Sequence, residues 1–392
     1  MNPGPTDPTV DRDHDKPPIA DETTEHRPRG TNVDETVHYE AGGSGPRPVR
    51  IDTGALPHLE HATITGAPVT DVAPLASLTG LSSLRLDGCA QLADVTALAE
   101  LPELCILDLT ATPIDPATLP PRLRAIATRG ELGANAELIA ACPNLEIISV
   151  YGVGYDAVDL AAARARNIRV TNTPDVLTED VADLAVAMML GLSRGMIAAE
   201  RWARDGSWVS KGGFPLQQRV WGKRAGVLGL GRIGRAVADR LQGFGMEIAY
   251  SSRAPKSSAA QWTFVADPIA LARHSEFLFV TLAANAATRH IVNAGVIDAL
   301  GPGGMLINVS RAANIDENAL LDALEQGRLG GAALDVFEGE PKLNPRFLAL
   351  PNVLLQPHHG SGTFETRKAM GQLLRENLMA HFAGRPLPTP VL

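Results

Sequence analysis

Three polar residues, each placed just after an apolar run, could carry chemistry in this chain. Arg311 closes Leu306-Ile-Asn-Val-Ser-Arg311, Glu340 follows the run that ends Leu334-Asp335-Val336-Phe337, and His358 follows Val353-Leu-Leu-Gln-Pro357. A guanidinium binds a carboxylate and polarises a carbonyl, while an imidazolium supplies a proton. A carboxylate beside an imidazole favours the protonated ring and fixes its tautomer. Gathered beside a nicotinamide, these groups are what ketone reduction needs. Each also has a plainer reading alone, Arg311 as a surface ion pair and Glu340 as a loop acid. His359 competes with His358, but adjacent residues near a strand end point to opposite sides, so only one of them faces a cleft.

A place for the nicotinamide cofactor lies upstream. The apolar run Ala225 to Leu230 leads into Gly229-Leu230-Gly231-Arg232-Ile233-Gly234, a helical pattern, and a second apolar run that ends at Tyr250. Strand, tight turn, helix and strand form the context a dinucleotide fingerprint requires. Gly229 lets the chain turn, Gly231 lets backbone approach a pyrophosphate, and Gly234 lets the helix pack on the strand. The free N–H groups at the helix start, Arg232 and Ile233 among them, favour a diphosphate. Sheets that prefer NAD carry an acid at the end of the second strand, to bind a ribose hydroxyl. Here that place holds Ser251-Ser252-Arg253, with Lys256 nearby. Serine and arginine suit a 2′-phosphate, so NADP(H) is expected over NAD(H), which stays possible.

These groups need a scaffold. Strand-like runs at 276–282, 304–310, 331–337 and 352–356, with helical segments at 287–300 and 316–327, imply a doubly wound parallel sheet with right-handed crossovers. Ligands then sit beyond the carboxyl ends of the strands, where the three polar residues fall. A helix is expected from Glu179 to about Ala203, N-capped by Thr178. Another, from Thr366 to Phe382, places Met370, Leu373, Leu374, Leu378 and Phe382 on one face. Lys211, Trp208 and Phe214 precede the fingerprint, and surface or packing roles suit them better than the pocket.

Residues 57–119 repeat at roughly 22 residues. Leu59-Glu-His-Ala-Thr-Ile-Thr-Gly66, Leu81-Ser-Ser-Leu-Arg-Leu-Asp-Gly88 and Leu104-Cys-Ile-Leu-Asp-Leu-Thr-Ala111 align, and Asp-Val-x-x-Leu-Ala runs follow at Asp71–Ala76 and Asp94–Ala99. This resembles leucine-rich repeats, whose coils bury their leucines against their neighbours. A weaker echo continues at Leu123–Gly130 and Leu145–Gly152, so the repeat strands are expected to extend the next sheet edgewise. The first 50 residues almost lack large apolar side chains and read as a disordered tail.

Composition narrows the class. A net charge of −9 without a dense Lys/Arg patch argues against nucleic acid as the main partner. No run approaches the ~20 apolar residues of a membrane span, and no apolar leader opens the chain. Cys89, Cys105 and Cys142 are unevenly spaced, which suits reduced thiols of a cytoplasmic protein, and no metal site is expected.

Residues from about 123 to 392 resemble the D-isomer-specific 2-hydroxyacid dehydrogenases, in particular the glyoxylate/hydroxypyruvate reductase branch. The resemblance rests on Tyr151-Gly-Val-Gly-Tyr-Asp156, Asn172-Thr-Pro-Asp-Val-Leu-Thr-Glu-Asp-Val-Ala-Asp183, Gly226–Gly234, Asn308-Val-Ser-Arg311, Leu334-Asp-Val-Phe-Glu-Gly-Glu-Pro341 and Pro357-His358. It implies that Arg311, Glu340 and His358 are catalytic, and its Pro-His pattern selects His358 over His359. It further implies that Asp335 and Val309 contact the cofactor, that the N–H groups of Val153 and Gly154 bind the substrate carboxylate together with Arg311, and that the chain forms a homodimer. The expected fold is α/β. A Rossmann sheet (173–359) is inserted in a flavodoxin-like substrate domain (121–172 and 360–392), preceded by repeat-like coils (56–120) and the tail (1–55). The expected reaction is NADPH-dependent reduction of a small 2-oxo acid to a D-2-hydroxy acid. The alternative is a nucleotide-binding scaffold or redox sensor with a repeat-mediated partner site. Two departures stand out. The family's opening βα units are replaced by the repeats, and Ala312 follows the arginine where glycine is usual, which would strain the loop at a positive φ.

Overall fold

Among the described residues, two parallel seven-stranded sheets organise the chain. The computed structural model describes residues 36–40, 59, 61–65, 69–87, 89, 91–104, 106–108, 112 and 114–392, and the residues from Thr36 onward belong to one compact unit. The first sheet holds β1 (Thr36–Glu40), β2 (His61–Thr65), β3 (Ser83–Asp87), β4 (Ile106–Asp108), β5 (Ala125–Arg129), β6 (Ile147–Tyr151) and β7 (Arg169–Thr171). The second holds β8 (Arg224–Leu228), β9 (Glu247–Ser251), β10 (Thr263–Phe264), β11 (Phe277–Val280), β12 (Met305–Asn308), β13 (Gly331–Leu334) and β14 (Val353–Leu355).

The first sheet runs β1 to β7 in chain order. Its register pairs His61 with Ser83, Ala125 with Ile147, and Ile147 with Arg169, so a step of roughly 22 residues persists through the sheet. Asp71, Asp94 and Asp115 each accept a bond from the N–H two residues on, and each opens a 3-10 return. Helices α1 (Ala136–Ala141) and α2 (Leu160–Ala165) serve the later steps, capped by the side chains of Asn135 and Asp159. Leu84, Leu86, Leu98 and Leu104 share one buried cluster with Ile148, Val150 and Val170. The coils and β5–β7 therefore have a common core.

This order corrects the flavodoxin-like expectation, because the strand order never reverses and the sheet has no switch point. The described returns after β2 come back over the same face, and each strand lies beside the previous one. The tail reading also changes in part. Residues 36–40 form β1, paired in parallel with β2, and Thr-Val-His-Tyr has the β-branched and aromatic content of a strand. The rest of 1–55 lies outside the described residues.

The second sheet has the order β10-β9-β8-β11-β12-β13-β14, with the reversal between β8 and β11 that marks a doubly wound nucleotide-binding sheet. Helices α3 (Thr178–Ser193) and α6 (Arg232–Gln242) cover one face. Helices α7 (Pro268–His274), α8 (Ala294–Leu300) and α9 (Glu317–Glu325) cover the other.

The long helix expected to reach Ala203 is two. α3 ends at Ser193, and α4 (Met196–Arg204) starts after Gly195, whose φ of 57° turns the chain by 58°. Leu177, not Thr178, occupies the N-cap position, and the Thr178 hydroxyl is buried without a partner among the described residues. A further short helix, α5 (Ser207–Lys211), precedes β8. No single helix among the described residues is long and apolar enough to cross a membrane.

α10 (Phe364–Phe382) returns to the first sheet, where Leu378 packs with Ala125 and Ile147. Thr363 and Thr366 both bond the Asp180 carboxylate of α3, which ties the two crossings between the sheets together. These hydroxyls hold the Asp180 carboxyl below its ordinary range.

Candidate active site

At the reversal point, Gly229 adopts a φ of +104°, and a side chain there would strike Leu282 at 2.6 Å. A Cβ on Gly234 would lie 2.1 Å from the Gly229 carbonyl, so the helix packs on the turn only because the position is glycine. Gly231 instead faces open space, and no side chain caps the first N–H groups of α6. The result is a backbone cradle at a helix start, which fits a dinucleotide diphosphate. Arg232, beside it, pairs with Asp175 at 2.6 Å.

At the end of β9 the expected phosphate ligands divide. Ser252 and Arg253 are at least partly exposed. Ser251 is buried and donates to the Ala266 carbonyl, which removes its hydroxyl from the expected set. Its place on the strand, pointing inward, is the reason.

The cleft between the sheets is lined by Val153, Gly154, Ile233, Val309, Arg311, Asp335 and His358. His358 Nδ1 lies 2.7 Å from Glu340 Oε2. A carboxylate only accepts, so Nδ1 carries the hydrogen and Nε2 is left for the cleft. The other oxygen of Glu340 accepts the Phe337 N–H at 2.7 Å. Burial alone would raise the Glu340 carboxyl, but the bond and charge of His358, with help from Phe337 N–H and Arg311, hold it below the ordinary carboxylate range.

His358 itself has a φ of 52°, a left-handed conformation uncommon outside glycine. Asp335 secures the following turn, since one oxygen accepts the His359 N–H and the other the Gly360 N–H, both at 2.9 Å. Burial raises the Asp335 carboxyl, and those two bonds oppose it. His359 turns away and bonds Gln356 at 2.6 Å.

Arg311 is aimed by its neighbours. Asn308 Oδ1 accepts from the Ser310 N–H and hydroxyl, and its amide donates to the Arg311 carbonyl. Asn314 supports Ser310 in turn. Ala312 opens a 3-10 turn without a positive φ, so the expected strain is absent. The guanidinium Nε donates to Asp156 at 3.1 Å. A Cβ on Gly154 would sit 1.8 Å from Arg311 Nη2, so the loop touches the guanidinium with bare backbone. The N–H groups of Val153 and Gly154 have no acceptor among the described residues.

Sequence reasoning missed Asp156 as the partner of Arg311, and the cleft-lining Arg129, Glu131, Tyr151, Arg367 and Met370. Asp156 stood inside a quoted motif, but its pairing partner is 155 residues away. Trp208, Lys211 and Phe214 lie outside the cleft. Trp208 is exposed, while Lys211 and Phe214 pack on Trp202.

The geometry joins an imidazole–carboxylate pair, a loop-held guanidinium and a dinucleotide cradle in one cleft. Comparison with known proteins identifies the family. Residues 186–360 match the family model of the D-isomer specific 2-hydroxyacid dehydrogenase NAD binding domain. The chain is 48% identical over 270 residues to hydroxyphenylpyruvate reductase of Plectranthus scutellarioides, covering 69% of this chain and 86% of the relative. It is equally identical, with the same coverage, to glyoxylate/hydroxypyruvate reductase A of Arabidopsis thaliana. Among solved structures it is similar to an NADPH-dependent glyoxylate/hydroxypyruvate reductase from Sinorhizobium meliloti in complex with NADP and malonate. The identity is 42%, with a TM-score of 0.68 over 76% of this chain and 94% of that one. Cleft, sheet order and relatives agree: the chain belongs to the D-isomer specific 2-hydroxyacid dehydrogenase family and is an oxidoreductase with an NAD-binding domain.

Proposed function

We propose that the chain reduces short 2-oxo acids, glyoxylate and hydroxypyruvate, to D-2-hydroxy acids with NADPH. The observation that carries this reading is the 2.7 Å bond between His358 and Glu340 in a cleft that Arg311 also lines. The nicotinamide, when bound, supplies the hydride. The Val153 and Gly154 N–H groups take the substrate carboxylate, with Arg311 alongside to polarise the carbonyl. Asp156 keeps the guanidinium in place through Nε. His358 Nε2 delivers the proton to the ketone oxygen, and Glu340 holds the ring and compensates its charge. Asp335 fixes the turn after His358, and its place in the cleft lining supports a contact with the nicotinamide carboxamide. Gly229, Gly231, Arg232, Ile233, Gly234 and Val309 hold the cofactor.

Ser252 and Arg253, with no acid at the end of β9, support NADPH over NADH, as does the NADPH dependence of the Sinorhizobium meliloti relative. A charged contact to the phosphate is worth about ten- to a hundredfold in kcat/KM. The test is NADPH and NADH consumption by purified protein with glyoxylate, hydroxypyruvate, pyruvate and phenylpyruvate. Turnover of the first two with the NADPH advantage is expected. No turnover on any acid would refute the reading, and equal use of NADH would refute the cofactor preference.

We also propose that the coils before β5 are leucine-rich repeats and that two copies of the chain associate. Exposed Met196, Ile197, Trp208, Val209, Leu216 and Trp221, all on or just after α4 and α5, support the second reading.

A further inference from the structure

One wall of the cleft has no part in the reaction described above. Arg129 and Glu131 both line the cleft, and their side chains pair across Gly130. The chain turns tightly here, because the N–H groups of Leu132 and Gly133 both reach the Arg129 carbonyl. Gly130 has no room for a side chain. A Cβ would lie 2.3 Å from the Gly154 carbonyl and 3.1 Å from Arg311 Nη2. The ion pair thus sits one residue to either side of the point where this strand end meets the guanidinium. Tyr151 is the register partner of Arg129 on β6, and its hydroxyl donates to the Arg367 carbonyl at 2.8 Å. The pair keeps its solvent contact, with side-chain exposures of 38% for Arg129 and 31% for Glu131.

We propose that Arg129 and Glu131 are a specificity-determining pair, which selects 2-oxo acids carrying a hydroxyl on the third carbon over those with a methyl group. The proposal rests on the reading of Arg311 and the Val153–Gly154 backbone as the carboxylate site. A substrate anchored there is so short that its substituent falls beside the neighbouring residues. A hydroxyl needs an acceptor and welcomes a donor, and Glu131 and Arg129 provide one of each. A methyl or aryl group would cover both charges without replacing their water. A carboxylate substituent would meet the like charge of Glu131.

The experiment measures kcat/KM with NADPH for glyoxylate, pyruvate, hydroxypyruvate and oxaloacetate, in the wild type and in Glu131→Leu and Arg129→Met. Expected is a wild-type preference for hydroxypyruvate over pyruvate of at least about tenfold, falling toward one in both variants. A wild-type ratio near one, a ratio unchanged in both variants, or a preference for oxaloacetate would overturn the pair's role. Glyoxylate, which has no substituent, separates this failure from that of the underlying reading. Turnover of glyoxylate beside a flat ratio sinks the pair alone, whereas no turnover of any acid sinks both.

Discussion

At the scale of single residues, the chemistry depends on how few groups are left free. Glu340 spends both oxygens, on His358 and on the Phe337 N–H, and Asp335 spends both on the turn that follows. His358 is thereby held at its ring by Glu340 and at its backbone by the turn that Asp335 secures. Glu340→Gln removes the charge but keeps the shape, so kcat should fall about 100-fold or more. The same substitution has a pH signature. The Glu340 carboxyl is held below its unfolded value of 4.5, so its stabilising contribution is complete above that pH and is lost as pH falls through the lower folded value. Urea unfolding of wild type and variant should show a stability gap at pH 7 that narrows at pH 4. A gap independent of pH would contradict the pairing. The residues legible in the sequence were those at strand ends after apolar runs: Arg311, Glu340 and His358. Asp156, Arg129 and Glu131 were not, because a partner 155 residues distant, or a pair across a turn, leaves no periodic trace. Ser251 misled for a related reason, since the last residue of a strand points inward or outward by register alone.

Among the elements, the loop after β6 joins the two halves of the site. Gly154 gives it contact with Arg311, and Asn172 bonds the Val153 carbonyl from the far side at 2.8 Å. Gly154→Ala should push the guanidinium from its place, raising KM for the oxo acid and lowering kcat by about 100-fold together. NADPH affinity, measured by fluorescence titration, should change little. A variant with wild-type kcat/KM would show that the loop does not set the position of Arg311. Strand and helix patterns were readable because apolar runs and caps are local. The break at Gly195 was not, since the apolar pattern continues on both sides of it and only the backbone of that residue bends the helix.

Across the whole molecule, the first sheet is a single file of strands, with the repeat-like coils ahead of β5 as expected in place of the family's opening βα units. The sequence showed the roughly 22-residue step clearly in its early copies and only as a weaker echo at Leu123–Gly130 and Leu145–Gly152. The step persists through β7, but helices α1 and α2 replace the 3-10 returns there and blur the pattern. The edgewise extension of the sheet by the repeat strands was legible, whereas the continuation of chain order through β7 was not, because order depends on which face each return covers. The common core of the coils and β5–β7 carries the Val153–Gly154 loop, while the second sheet carries the cradle and His358. In the cleft these two halves build, His358 gives up the proton. This role is tested most directly by NADPH consumption with glyoxylate in the wild type and in His358→Ala, with NADPH affinity measured on both. Expected are rapid turnover by the wild type, a loss of about 100-fold or more in the variant, and nearly equal NADPH affinity. Full activity in the variant would contradict that role.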